Sequence, residues 1–189
     1  MLLVREIRAV FDDDLITIYQ AYPVEIAEPA LRAGRFVPPF KPNRMTWIKP
    51  SFLWMMYRSG WATKPGQERI LAVSITRAGF EWALNHAVLS HYEPGTHPDR
   101  ATWQRRLRAA PTRIQWDPER DLHLQPLPYR SLQLGLGPDA AAHYTTAWTA
   151  SITDVTELAH TIHARTQSAT PAAAAALLPP ERPYPWPTP

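Results

Sequence analysis

Apolar and polar positions alternate most clearly in ERILAVSITR, where Ile70, Ala72 and Ser74 oppose Leu71, Val73 and Ile75; this period of two predicts a strand. LLVREIRAV (2–10) and LITIYQAY (15–22) predict two more, with Asp12, Asp13 and Asp14 as a tight polar turn between them. After Pro23 the period lengthens. Val24, Ala27, Ala30 and Leu31 fall at helical spacing, Pro29 interrupts that helix, and Gly34 suits its C-cap. A proline-rich loop, FVPPFKPNR, leads into a short strand, RMTWI. Ser51 then caps a helix, FLWMMYRSG, that stops at Gly60. Its apolar residues Phe52, Leu53, Trp54, Met55 and Met56 read chiefly as core.

Further along, AGFEWALNHAVL predicts a helix, and Asp99 caps a basic one, RATWQRRLRA. The stretch TRIQWDPERDLHLQPLPYRSLQLGLG predicts two strands joined by a proline-containing turn. A last helix, SITDVTELAHTIHAR, sets Ile152, Val155, Leu158, Ala159 and Ile162 on one face. The chain thus divides into one domain over 1–166 and a Pro/Ala-rich segment, 167–189, expected to be a disordered tail. The element order lacks regular βαβ alternation and there is no G-x-G-x-x-G loop, which argues against a Rossmann domain. The expected fold class is α+β, a split, largely antiparallel sheet with flanking helices.

Composition narrows the chemistry. Cysteine is absent among the 189 residues, so disulfides, thiolate metal sites and cysteine nucleophiles are excluded. Net charge is +3, and of 20 basic residues only Lys41, Lys49 and Lys64 are lysines. Arginine's planar fork suits phosphate and carboxylate, although an arginine excess also follows from genome composition. Arg100, Arg105, Arg106, Arg108 and Arg113 occur with no acid between them, beside Trp103. Such a face fits a DNA or RNA backbone, the alternative being a solvated helix surface. No run reaches the length of a membrane span, and Arg5, Glu6 and Arg8 break the apolar stretch a signal peptide needs; the expectation is a cytoplasmic protein without membrane partners. His86, His91 and His97, with Glu93 among them, lack zinc-helix spacing, and no metal is expected. Neither a G-x-S-x-G elbow nor a P-loop is present.

Two resemblances add to this. The apolar strand ending in Tyr19, Gln20 and Tyr22, followed by a helix ending in G-R-F, resembles the first signature of ADP-ribosyltransferase-like folds. That resemblance implies NAD as a substrate, with Gln20 standing where the family has a histidine that holds a ribose hydroxyl. It also implies that RMTWIKPS forms a second wall. There Thr46 and Ser51 would supply hydroxyls, Trp47 would stack on a ring, and Arg44 and Lys49 would meet a pyrophosphate. The family requires a late glutamate to stabilise the oxocarbenium-like state; Glu119 in QWDPER is the candidate, with Gln133 in RSLQLGL as a rival that would make transfer weak or absent. The longer phrases IYQAY, RMTWIKPSFLWMMYRSGW, QWDPER and RSLQLGL resemble an uncharacterised family, the domain-of-unknown-function family numbered forty-two ninety-one, over roughly residues 5–165.

The leading expectation is an ADP-ribosyltransferase-like enzyme using NAD, with Gln20 and Glu119 catalytic and a nucleic acid as acceptor. The alternative is a non-catalytic nucleic-acid-binding module using Trp47, Tyr57, Trp61 and the arginines Arg58, Arg105, Arg106 and Arg108. A third is a protein-interaction domain whose eight tryptophans are mostly core. The acceptor and the oligomeric state are not encoded in any motif.

Overall fold

A computed structural model describes residues 4–168 and 171–186. The fold is mixed α+β. In chain order the strands are β1 (Val4–Arg5), β2 (Arg8–Ala9), β3 (Leu15–Tyr22), β4 (Thr46–Ile48), β5 (Arg69–Thr76), β6 (Ala87–Leu89), β7 (Thr112–Arg120), β8 (Pro126–Leu136), β9 (Thr149–Asp154) and β10 (Arg182–Pro183). The helices are α1 (Val24–Ala33), α2 (Phe52–Ser59), α3 (Arg77–Asn85), α4 (Arg100–Ala109), α5 (Pro138–His143), α6 (Thr156–Thr166) and α7 (Pro171–Ala175), with a π-helical turn at Tyr144–Trp148.

One sheet runs β1-β8-β7-β6, and β4 pairs with the far end of β8; a second runs β3-β5-β9. Antiparallel pairing predominates, and only β1 with β8 and β6 with β7 run parallel among the described strands. The two sheets meet where the Tyr19 N–H donates to the Lys49 carbonyl at 2.7 Å, just beyond β4.

Period-two alternation explains the cores. Ile16 and Ile18 of β3 join Leu71, Val73 and Ile75 of β5 and Leu132, Leu134 and Leu136 of β8 in one apolar cluster. Tyr19 and Ile70 point the other way, into a second cluster with Phe52, Met55 and Met56 of α2 and Ile162 of α6. Gly34 and Gly60 end α1 and α2 in the left-handed conformation, where a side chain would be strained. Ser51 caps α2, its Oγ accepting from the Trp54 N–H at 3.2 Å.

Several expectations are corrected. Residues 4–9 do not form one strand: β1 joins β8, whereas β2 pairs with β10; residues 2 and 3 lie outside the described residues. The helix expected over 78–89 stops at Asn85, and Ala87–Leu89 pairs with β7, because an apolar triplet this short fits either period. SITD is strand rather than the start of a helix, so Ile152 packs from β9 while α6 begins at Thr156. The 167–189 segment, expected to be a disordered tail, is packed over 171–186. Ala174 is buried, Tyr184 is wedged between Phe11 and Phe80, and Arg182–Pro183 pairs with β2. Its apolar residues, spaced between prolines, dock as short pieces rather than as a long periodic element. Among the described residues no helix is long and apolar enough to cross a membrane.

Candidate functional site

A cavity of about 690 Å³ opens where β3, β4, α2 and β8 converge, within the range of small-molecule sites. Gln20 and Tyr22 reach it from the end of β3, Thr46 and Trp47 from β4, and Gln133 from β8. Trp54, Met55 and Arg58 reach it from α2, and Lys41 and Arg44 from the proline-rich loop. Every lining cation therefore faces a wall without carboxylate among the described residues. Lys41, Arg44 and Arg58 make no ion pair among those residues; Arg58 donates to Gln67 Oε1 at 3.0 Å. Trp47 fits because the residue beside it on β8 is Gly135, where a Cβ would stand 2.9 Å from the indole.

Gln20 is the keystone of the inner wall. It is 3% exposed; the Tyr144 hydroxyl donates to its Oε1 at 2.6 Å, and its Nε2 donates to the Trp47 carbonyl at 2.9 Å. One amide thus ties β3, β4 and the π-helical turn together, its donor and acceptor ends both used. Tyr22 stands edge-on to Phe36 and Phe40, and burial raises its hydroxyl pKa, partly offset by a hydrogen bond with Gln20.

The sequence-derived wall residues separate by strand face. Gln20 and Tyr22 lie on one face of β3, and Tyr19 on the other, packed edge-on to Phe52 and away from the cavity. Thr46, Trp47 and Arg44 line the cavity, whereas Lys49 and Ser51 do not. Lys49 is buried with its Nζ 3.2 Å from Asp117 Oδ2 and 3.7 Å from the centre of the Trp54 ring. Burial lowers the Lys49 ammonium to about 8 against the pull of Asp117.

Glu119 opens elsewhere. It lines a second cavity of about 230 Å³, with Ser51, Arg8, Tyr129 and Glu181. Glu119 Oε1 accepts from the Ser51 hydroxyl and the Arg120 N–H, both at 2.8 Å. The register of β7 slips between Pro118 and Arg120, and Glu119 stands four residues beyond Gln115, the β7 position paired with Gln133 of the main cavity. Glu181 accepts from the Phe52 N–H at 2.7 Å, and burial, reinforced by the nearby Glu119, raises its carboxyl to about 8. Of the two late residues weighed for the acid's position, Gln133, which would replace the acid with an amide, is the one in the main cavity.

The exposed arginines Arg105, Arg106 and Arg108 lie on α4, away from these walls. Sequence reasoning assigned Trp54 and Met55 to the core and Arg58 to nucleic acid. The spacing of Trp54 and Arg58, i and i+4, was the available signal that they share a helix face. Glu181 lay in the supposed tail and was missed. No metal-holding group of three or more His, Cys, Asp or Glu side chains occurs among the described residues.

No curated protein matches the sequence. One family model does, and it runs from residue 6 into the packed C-terminal segment. Since that match covers nearly the whole chain, residues 6–184, the protein belongs to the family described as Domain of unknown function (DUF4291).

Proposed function

We propose that the main cavity binds NAD or a related ADP-ribose-containing nucleotide within an ADP-ribosyltransferase-like frame. The observation that carries this reading is the convergence of Gln20, Tyr22, Thr46 and Trp47 on one cavity whose lining has cations at Lys41, Arg44 and Arg58 and, among the described residues, no carboxylate. Guanidinium groups recognise a diphosphate by charge-assisted hydrogen bonds. Trp47 and Trp54 offer ring faces for a base or nicotinamide. The Gln133 amide has both donor and acceptor for a ribose hydroxyl.

Transfer makes a further demand. As nicotinamide leaves, positive charge develops on the ribose, and a carboxylate in contact would stabilise it. Glu119 faces the smaller cavity and Gln133 the larger. The reading supported best is therefore nucleotide binding with glycosyl transfer weak or absent. Calorimetric titration of the full chain with NAD and with ADP-ribose tests it. Saturable binding is expected, weakened roughly tenfold or more in Arg58→Ala. Absence of binding by both ligands overturns the reading. Nicotinamide release that Glu119→Gln abolishes would restore Glu119 as the catalytic acid.

A second reading, a nucleic-acid-binding surface on α4, is favoured by Arg105, Arg106 and Arg108, all exposed and none in an ion pair among the described residues. It predicts oligonucleotide binding that weakens steeply with salt. Binding unaffected by their joint replacement with alanine would remove it.

A further inference from the structure

We propose that Lys49 is a positioning residue for the main cavity: its buried ammonium holds the Trp54 ring in the wall that the ligand meets. The ligand's identity rests on the nucleotide reading above; the arrangement of the wall does not.

Lys49 is 1% exposed, and its Nζ lies 3.7 Å from the Trp54 ring centroid. A cation over an indole face is attracted by the ring quadrupole, most strongly when water is excluded. Asp117 Oδ2 accepts from the same Nζ at 3.2 Å, and Asp117 is itself held by Gln115, whose Nε2 donates to Oδ1 at 2.8 Å. Lys49, Asp117 and Trp54 therefore form a chain from β7 through the ammonium to α2.

Sheet register places this chain beneath the cavity. Gln115 pairs with Gln133 and Asp117 with Ser131, so Asp117 lies two residues along the same face from the Gln133 position that lines the cavity. Lys49 follows Trp47 by two residues and continues that face from the β4 side. A methionine of similar length would fill the space without the penalty of burying a charge. The charge acts on the ring above it, and Trp54, unlike Lys49, is part of the cavity wall.

Three charged groups act on the ammonium: Asp117 and Glu119 favour its protonated form, whereas Arg120 and burial disfavour it, bringing it to about 8. The ammonium is therefore present at pH 7 and lost above pH 8. Tryptophan near-UV circular dichroism of the ligand-free chain, titrated from pH 6.5 to 9.5, reads this directly. Wild type is expected to show a step with its midpoint near 8. The step should be absent in Lys49→Met/Asp117→Asn, which leaves no unpaired buried carboxylate, and in Trp54→Phe. Glu181 also titrates in this range, so a step that survives in the Lys49→Met/Asp117→Asn variant assigns it elsewhere and overturns the proposal.

Calorimetry with ADP-ribose gives the second readout. Wild-type affinity should fall roughly tenfold between pH 7 and 9.5, while the double variant binds at all pH values as wild type does at the upper end. An unchanged pH profile in the variant overturns the proposal. If ADP-ribose binds at no pH but the spectroscopic step behaves as expected, the nucleotide reading fails and the role of Lys49 in the wall stands.

Discussion

Replacing Gln20 with leucine tests the inner wall most sharply, because leucine matches the glutamine in bulk and removes both of its polar ends. The fully buried Tyr144 hydroxyl would lose the acceptor it now reaches at 2.6 Å, and the Trp47 carbonyl the donor it now accepts at 2.9 Å. A buried polar group left unpaired costs about 1–3 kcal/mol. Two such groups, less the gain from burying leucine's methyls, give a loss of about 2–4 kcal/mol. For a chain of this size that lowers Tm by about 5–15 °C. Urea unfolding followed by circular dichroism measures the loss. Tyr144→Phe in the Gln20→Leu background removes the stranded hydroxyl, so the double variant should lose about 1–2 kcal/mol less than the sum of the singles. A Gln20→Leu protein within about 0.5 kcal/mol of wild type, or strict additivity in the cycle, would refute the claim that this amide locks β3, β4 and the π-helical turn together.

Two further outcomes are expected. Gly135→Ala places a methyl 2.9 Å from the Trp47 ring, so the indole must shift; ADP-ribose affinity by calorimetry should fall several-fold with a stability loss of about 1–3 kcal/mol, and unaltered affinity would show that Trp47 does not shape the ligand site. Glu181 has its carboxyl raised to about 8 by burial, so the folded chain holds a proton there that the unfolded chain releases above about 4.5; folding stability should drop as pH rises from 4.5 to 8. Glu181→Gln keeps an acceptor for the Phe52 N–H and should flatten that drop in urea titrations at pH 5, 7 and 8.5, whereas an identical slope would exclude Glu181 as its source.

The sites of error and success in the sequence are physically distinct. Ser51 and Gly60 marked the ends of α2 correctly because caps are local chemistry. ERILAVSITR was legible because Leu71, Val73 and Ile75 are buried on one face while Ala72 and Ser74 are only part-buried on the other, so the period of two survives in the sequence. Gln20 and Tyr22 both line the larger cavity because they share one face at the end of β3. Tyr19 was grouped with them although alternation turns it toward Phe52. Lys49 read as a pyrophosphate ligand since nothing local reveals Asp117, its partner 68 residues away. Glu119 read as the late glutamate that the resemblance asks for; its place in the smaller cavity, hydrogen-bonded to Ser51 68 residues away, is not visible in QWDPER itself. The C-terminal segment misled for a related reason: proline and alanine predict disorder by average behaviour, while Tyr184 and Glu181 dock through contacts with residues more than a hundred positions away.

The central claim is that an ADP-ribose-containing nucleotide occupies the larger cavity. A crystal structure of the full chain grown with saturating ADP-ribose tests it most directly. The account predicts the ligand between β3, β4 and α2, its diphosphate beside Arg44 and Arg58 and a ring against Trp47 or Trp54. A ligand seated against Glu119 and Glu181 in the smaller cavity, or a larger cavity left empty, would contradict it.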